Sequence, residues 1–522
     1  MDPASSGIFV IESPPGGEPI PVERDTVAAF VGPAPRGPVD QPVAVRSIGE
    51  FLACFGVPGH GSRMELLLRQ YFGSGGNLAV VVRVTRSQRR NRIVMPGPAG
   101  PLVLEALNPG RLEHLRASVD YDGIGAAETD RFNLVVHRCS SAAAPLVEEQ
   151  ESYHRVSIRA GDTDALADAL ASSQLVRLAE PVPTERPTRT VGDDGSQSIG
   201  WVLCHADWRD SEAHGDYDLI GSREQGTGLF ALDQVPTVDL LHLLPGSPDG
   251  ALGPVALFAA ERYCRERQAL LVLDPPASWR TAEDAIRAQR ARSFSSPDAL
   301  TYFPALELNA GSAATLPLSA AGVVMGLLAA GDAAGGPWRP AAAPSAVALG
   351  SARLAANIDE WAARQLHRLG VNTLARGIGG RIEFGGQLTL ARSGGVAASW
   401  NELPRRRIAL FALGAIARYT RWTALLPADA ETWREARVQV NAFLTALHER
   451  GAFAGASVGQ SFYVKCDLDT NATPASGSRG CCLVVGMALR RPGEFVAFQI
   501  VQQARGCEVT ELSWQPGVAL AG

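Results

Sequence analysis

The chain has 522 residues, of which 46% are hydrophobic and 20% charged, with a formal net charge of −6. That length predicts about two to four domains with cores of their own, in an ordinary soluble composition. The acidic balance argues against a general nucleic-acid binder, which is usually basic. The eight cysteines include no CxxC pair and no framework spacing, which favours a reduced, cytoplasmic protein. The N-terminus has no basic region followed by an apolar run, so no signal peptide is expected. No apolar run reaches the roughly 18 residues of a membrane span. Residues Ser319 to Ala330 come closest and are too short and too rich in Gly and Ala.

In chain order, residues 1–24 read as an arm. Gly7 to Glu12, with Ile8, Phe9, Val10 and Ile11, suits a short strand, and the Pro/Gly run from Pro14 to Pro21 separates it from any core. A strand without a local partner must find a sheet edge elsewhere. Thr26 to Gly32 reads as a buried strand. Ser47 with Glu50, and Ser62 with Glu65, are capping boxes for helices ending at Gly56 and Phe72. Leu78 to Val84 is an apolar strand. The run from Arg83 to Arg92 holds five arginines and no aromatic residue, and reads as a solvated loop. Phe132 to Val136 and Tyr153 to Ile158 suit strands, and Pro181 to Ser198 an exposed loop.

From Val238 onward, strands (Val238 to Leu244, Leu270 to Leu273, Thr301 to Leu308) alternate with helices (Pro254 to Gln268, Ala282 to Ala291, Ser319 to Ala330). That rhythm predicts a mostly parallel sheet. Arg353 to Leu369 reads as a helix closed by Gly370, with Ile358, Trp361, Ala362, Gln365, Leu366 and Leu369 on one face. Pro404 opens a further helix with Ile408, Phe411, Ala412, Ala415, Ile416 and Tyr419 on its packed face. The next begins at a capping box of Thr432 and Glu435 and stops at Gly451, with a stripe of Trp433, Val440, Leu444 and Leu447. Strands follow at Ser461 to Asp467, Cys481 to Leu489 and Glu494 to Gln503. Cys481 and Cys482 point to opposite strand faces and read as small buried residues. A last strand, Cys507 to Trp514, alternates Val509, Glu511 and Ser513 against Thr510 and Leu512.

Motifs for chemistry are few. Gly455 to Gly459 spells GxSxG, but a nucleophile elbow needs a strand before its serine and a helix after it, and here the order is reversed. Asp467, Asp469 and Asn471 begin like a calcium loop, with Ala472 where glycine belongs and Ser478 where the bidentate glutamate belongs; they read as a turn. No GxxxxGK[ST] and no HExxH occurs, so no cofactor or metal is expected. Asp239 and Asp274 lie at ends of predicted parallel strands, where α/β folds place ligand-binding groups. Neither has a partner base legible in the sequence, and capping or turn roles are the plainer reading.

Two separated stretches resemble contractile phage-tail sheath proteins. The C-terminal one runs through RRRIALF, the Arg421–Trp422 pair, ETWREARVQVNAFLTALHERGAFAGA, SFYVKCD and RPGEFVAFQIVQ. The N-terminal one is VAAFVGPAPRGPVDQPVAVRSIGEFLACFG followed by LLRQYFGSGGNLAVVVRV. NPGRLEHLRASVDYDG, the DPP turn at Asp274 and the Tyr302 to Pro304 phrase add to the likeness, as does Val371-Asn372. There are departures as well. Relatives' "RTD" is replaced by Ala329-Ala330-Gly331-Asp332, and "GARTL" by Gly385-Gly386-Gln387-Leu388-Thr389-Leu390, so contacts made by the missing arginines do not carry over.

The resemblance implies a multi-domain α/β (mixed α+β) tail-sheath fold and a structural protein, not an enzyme. Its expected parts are a linking arm (1–24), the N-terminal part of the sheath core (25–92), an inserted, mainly β domain (93–234), an α/β sheath domain (235–350), a C-terminal core domain (351–506) and a linking strand (507–522). It further implies a subunit that polymerises helically around an inner tube protein, with baseplate and terminator partners, paralogous sheath subunits among the candidates, and no nucleic acid or membrane insertion. Inter-subunit strand candidates are then Ile8 to Ile11 and Val509, Thr510, Glu511 and Leu512. Arg434 and Arg437, on the charged helix face, are tube-contact candidates, with an ordinary solvated face as the alternative. The alternatives for the whole chain are a minor or capping sheath paralogue, or an α/β enzyme with Asp239 and Asp274 at its mouth.

Overall fold

The structure is a computed structural model, and it describes residues 17–56, 62–86, 89–110, 113–140, 146–190, 200–204, 214–246, 251–292, 294–309, 315–340, 352–377, 382–391, 399–471, 480–504 and 506–512. The first folded stretch holds β1 (Ala28–Gly32), β2 (Pro42–Val45), α1 (Ile48–Phe55), α2 (Arg63–Gly73) and β3 (Ala79–Arg83). Both capping boxes supply their N-caps: Ser47 and Ser62 accept from the amides of Glu50 and Glu65. These bonds satisfy helix-end donors that would otherwise stay unpaired.

The chain then leaves this layer. It forms β4 (Arg92–Met95), β5 (Leu102–Ala106), β6 (Leu115–Asp120), β7 (Arg131–Cys139), β8 (Val147–Ser157), α3 (Leu166–Ala171), β9 (Val176–Leu178) and β10 (Val202–Leu203). These build two small sheets, β10-β6-β7-β8 and β4-β5-β9, over a core that includes Ile93, Leu104, Phe132 and Leu134. In the arginine-rich stretch leading into them Arg86, Arg89 and Arg92 are exposed, as a solvated loop requires, and its first residue, at the end of β3, is the buried one. Arg83 is 2% exposed, and its guanidinium donates to the carbonyls of Ala34, Gly37 and Pro109. Convergent carbonyls replace water around the cation.

On its return the chain makes α4 (Asp216–Ile220), a 3-10 helix (Gly228–Gln234), β11 (Leu240–Leu243), α5 (Pro254–Arg267), β12 (Leu270–Leu273), α6 (Ala282–Ala291) and β13 (Ala299–Phe303). There follow β14 (Leu306–Asn309), β15 (Thr315–Leu318), α7 (Ala321–Gly335), β16 (Ala352–Leu354), α8 (Glu360–Arg368), β17 (Asn372–Arg376) and β18 (Ile382–Gly385). One eight-stranded sheet gathers the early and late strands in the order β18-β17-β13-β12-β11-β1-β3-β2. The six inner strands are parallel, and the two edge strands are antiparallel to their neighbours. Side chains alternate across it. Phe30 faces a layer with α1, α2 and α7, and Ala29 and Val31 face a layer with α5, α6 and α8. The Gly/Ala-rich run around Gly322 is α7. An added Cβ at Gly322 or Gly326 would sit 2.3 or 2.4 Å from the carbonyl oxygens of Leu67 and Tyr71 on α2. Two helices therefore pack there backbone to backbone.

Two expected elements differ. Thr301 to Leu308 is not one strand: it breaks at Pro304, which has no N–H for a ladder, and β14 passes into a separate sheet, β15-β14-β16. Arg353 to Leu369 is not one helix. Residues 352–354 form β16, with Arg353 opposite Glu307, and α8 starts only after Asp359, whose side chain accepts from the Ala362 amide. Trp361, expected on the packed face, is 56% exposed. The ladder to β14 is a long-range pairing, and local periodicity carries no sign of it.

The C-terminal unit contains α9 (Leu403–Tyr419), α10 (Ala430–Glu449), α11 (Val458–Ser461), β19 (Phe462–Lys465), β20 (Cys481–Ala488), β21 (Phe495–Gln503) and β22 (Gly506–Leu512). Its sheet runs β19-β20-β21-β22, antiparallel throughout. The expected stripe of Trp433, Val440, Leu444 and Leu447 is buried against it. The cap of α10 is Asp429 rather than Thr432, which lies one turn inside the helix and gives its amide to the Asp429 carboxylate at 2.9 Å. An anionic cap also complements the helix dipole. Helix α9 is two-sided: Ile408, Ala412 and Ile416 enter the C-terminal core, and Leu403 and Leu410 enter the core of the large sheet.

Candidate functional site

Residues 17–27 lie as a strap across both units. At its start Gly17 has φ +73, and a Cβ there would fall 2.3 Å from the indole nitrogen of Trp422. Only glycine suits both conditions. The Trp422 N–H donates to Gln439 at 3.0 Å, and the Gln439 amide donates on to the Glu18 carbonyl. Ile20 is 6% exposed and belongs to the C-terminal core. The strap then reaches the start of the parallel sheet. There Arg24 makes a two-pronged pair with Asp239, at 2.6 and 2.5 Å, and lies 5.1 Å from the Phe411 ring centroid. Asp239 also accepts from the Val27 amide at 2.9 Å. Thr26 donates to Asp332 on α7 at 2.6 Å, and Arg407 of α9 pairs with the same carboxylate.

Four of the charges pair off, Arg24 with Asp239 and Arg407 with Asp332. Burial alone would raise the pKa of Asp239, but the Arg24 guanidinium beside it wins and holds it below the usual carboxylate range. Burial alone would lower that of Arg24; Asp239 again overrides it, and the net direction is up. Arg418 stands close by with no such partner among the described residues. Burial, followed by repulsion from Arg24, lowers its pKa to about 10. A cavity of about 620 Å³ adjoins this network, with Arg24, Thr26, Asp239, Asp332, Arg407 and Arg450 among its walls.

At the other terminus, Val509, Thr510, Glu511 and Leu512 lie in β22. Val509 and Glu511 are half-buried and Thr510 and Leu512 exposed, the alternation expected. One edge of β22 is paired with β21 of the same chain, from Gln503↔Gly506 to Ala497↔Leu512. Its other edge has no partner strand among the described residues. Glu511 accepts from the Trp400 indole at 2.8 Å. The Trp400 ring lies 4.9 Å from Arg406, which is paired with buried Asp298 at 2.7 Å. Burial raises the Glu511 pKa more than the Trp400 bond and Arg406 lower it.

Ile8, Phe9, Val10 and Ile11 lie outside the described residues. The side chain of Arg434 is 58% exposed on α10, and Arg437 is half-buried. Arg434, Val438 and Ala442 line a groove of about 500 Å³ closed on its far side by Gly17, Pro19 and Ile20.

The features that pointed to catalysis do not assemble. Asp239 precedes β11 and Asp274 follows β12, a parallel neighbour, so they sit at opposite ends of the sheet and share no mouth. Asp274 accepts from Ser319 at 2.8 Å. It does have a nearby base that the sequence did not suggest, buried His242 at 3.7 Å. The cavity beside them is about 30 Å³, room for about one water. Ser457 stands between α10 and α11, with no strand before it. Asp467 accepts from the Asp469 amide, and Asn471 clasps the backbone of Cys482, so the calcium-like residues are spent on a turn. Among the described residues no group of three or more His, Cys, Asp or Glu side chains could hold a metal, and no helix is long and apolar enough to cross a membrane.

Sequence reasoning singled out Asp239 by its place near the end of a predicted strand and met Asp332 only as a departure from a family phrase. It missed Arg24, Thr26, Trp400 and Gln439, whose partners lie up to 421 residues away. No local signal marks them.

This three-layer sheet unit, interrupted by a β insertion and followed by a strapped C-terminal unit, has the fold of contractile-tail sheath proteins. The comparisons are with solved structures. The sheath tail protein of Listeria innocua matches with a TM-score of 0.62 at 13% identity, over 92% of this chain and 95% of that one. The sheath complex, in its contracted state, of an extracellular contractile injection system matches at 0.52 and 14%, over 99% of both chains. A chain of the contracted anti-feeding prophage baseplate matches at 0.51 and 16%, again over 99% of both. No family model and no curated protein sequence matches the chain. The expectation of a tail-sheath fold is met along nearly its whole length.

Proposed function

We propose that this protein is the sheath subunit of a phage-tail-like injection particle, polymerising helically around an inner tube and contracting to drive that tube through a target envelope. The observation that carries the reading is the end-to-end fold match, in which neither this chain nor the sheath chains keep a large part unmatched. The partners would be further copies of the chain, a tube protein, and baseplate and terminator proteins, with assembly in the cytoplasm. In such a polymer the stored energy is a difference in packing between two states, so no active site is needed.

The anchored termini suit this role. Gly17 is clamped against Trp422, and the edge of β22 that has no partner strand among the described residues can accept or extend a strand from a neighbour through backbone pairing. Arg434 and Arg437 on α10 are our candidates for the tube-facing contact. Negative-stain electron microscopy of the full chain, alone and co-expressed with its tube protein, tests the reading. Hollow tubes with a regular helical repeat are expected. Monodisperse particles under both conditions would shift the assignment to a minor or capping paralogue. Reversing charge at both arginines (Arg434→Glu, Arg437→Glu) should weaken co-purification of the tube, and undiminished recovery would remove them from the contact.

A further inference from the structure

Four of the eight cysteines, Cys466, Cys481, Cys482 and Cys507, lie in or beside the C-terminal sheet. Strands β19 and β20 are antiparallel with Lys465 opposite Val484. One step further puts Cys466 level with Leu483, and Cys481, two residues from Leu483, points to the same face. That face is the core: Cys466 is 1% exposed and Cys481 4%. The two residues therefore close the ends of the 467–480 connection from inside the protein.

Local bonds hold them there. Asn471 exchanges hydrogen bonds with the Cys482 backbone at 2.6 and 2.9 Å and has its amide nitrogen 3.8 Å from the Cys466 sulfur. The Cys481 thiol donates to Thr423 at 3.3 Å. The interaction of the two thiols, on one face of the core, lowers the pKa of Cys481 and raises that of Cys466. The other two cysteines are poorer partners. Cys482 points to the opposite strand face. Cys507 is separated from Cys481 by Gln502, which pairs with both across two strand spacings, about 10 Å.

We propose that Cys466 and Cys481 are a redox pair, forming an intrachain disulfide by exchange with a low-molecular-weight disulfide and so stapling the β19–β20 connection. The Cys481 thiolate attacks one sulfur of the small disulfide and expels one thiolate. The Cys466 thiolate then attacks the Cys481 sulfur of the mixed disulfide and expels the second. Two S–H bonds are lost and one S–S bond forms, while the oxidant is reduced to two thiols. Burial slows the exchange without moving its end point. Thiol pools of a cytoplasm keep the pair reduced. Closure after release from a cell would rest on the particle reading above, but formation of the bond does not.

The test is peptide mapping of the full chain equilibrated across a glutathione redox series, quenched with acid, unfolded and alkylated. A joined peptide pair holding Cys466 and Cys481, lighter by two hydrogens, is expected. It should appear at oxidised glutathione levels about tenfold below those that load glutathione onto Cys482, because the second thiol acts at high effective concentration. Cys482→Ser should leave the bond intact, and Cys466→Ser should abolish it. Alkylation of both Cys466 and Cys481 throughout, while Cys482 or Cys507 carries glutathione, would overturn the proposal. So would a bond from Cys481 to any other cysteine. Should Cys466→Ser not fold, the wild-type and Cys482→Ser maps decide the matter. Tube formation is scored separately by microscopy, so a failure of the pair and a failure of the sheath reading are distinct results.

Discussion

The two ends of the described chain are fixed in different ways. The strap at residues 17–27 makes few backbone pairings and is held by side chains: a buried isoleucine, a two-pronged ion pair, and a threonine sharing a carboxylate with Arg407. Strand β22 is the opposite case, seven registered residues on a backbone ladder with one notable side-chain pin, Glu511 to Trp400. Side-chain anchors are discrete and each can be removed by one substitution. A ladder is distributed, and no single side chain carries it. A subunit that must stay linked through a large rearrangement would thereby have one terminus whose hold is set by a few residues and one whose hold is set by pairing length.

The largest effect should come from breaking the ion pair. Asp239→Ala leaves Arg24 at the rim of the core, 18% exposed, and deprives the Val27 amide of its acceptor. Breaking such a pair from one side is expected to cost about 3 kcal/mol, read as a lower urea midpoint. Trypsin should then cut at Arg24, where the wild type should resist. Ile20→Ala comes next, at about 2 kcal/mol, near the lower end for a buried isoleucine because a strap can settle into the space. If cleavage at Arg24 increased in this variant as much as in Asp239→Ala, the strap would release as one unit; a lesser increase would mean that its two ends open separately.

The same contrast marks what the sequence revealed. Ser47, Ser62, the Trp433 to Leu447 stripe and the alternation of β22 were legible because a cap or a face is decided within a few residues. Asp429 was passed over for Thr432 because both begin plausible caps a turn apart, and only the packed helix chooses between them. Strand β16 was read as helix because its reason for being extended is Glu307, far back in the chain. The strap escaped for the same reason: Arg24 and Asp239 are 215 residues apart, and neither residue type announces its partner. Long-range pairing is where local propensity stops being informative. The family phrases did reveal the fold, because they record pairings already solved in relatives.

A third prediction concerns the C-terminal pin and its pH dependence. Glu511→Gln keeps the acceptor for Trp400, so its effect near neutrality should stay within about 1 kcal/mol. Burial raises the folded-state pKa of Glu511 above its free value of 4.5. The folded chain therefore binds this proton before the unfolded chain does, and wild type gains stability relative to Glu511→Gln as pH falls. The gain is complete below the free value and is lost as pH rises through the folded one. Unfolding curves of both proteins from pH 4 upward read the difference directly. A difference that grew in favour of wild type with rising pH would mean that Arg406, not burial, governs this carboxylate.

The smallest effect should come from Glu23→Gln. Glu23 pairs with Arg450, but their side chains are 77% and 44% exposed, and water already solvates both ions. Such a pair contributes within about 0.5 kcal/mol and less as salt rises. Glu23 and Arg24 are adjacent in the same strap, so the pair of variants separates two accounts of its hold. If the strap were retained by general charge attraction, Glu23→Gln and Asp239→Ala would weaken it comparably, and salt would imitate both. If desolvated geometry retains it, Glu23→Gln should leave both the urea midpoint and the cleavage at Arg24 unchanged, and salt should have little effect on either. The depth of Asp239, not the number of charges on the strap, would then set how firmly the N-terminal arm is held.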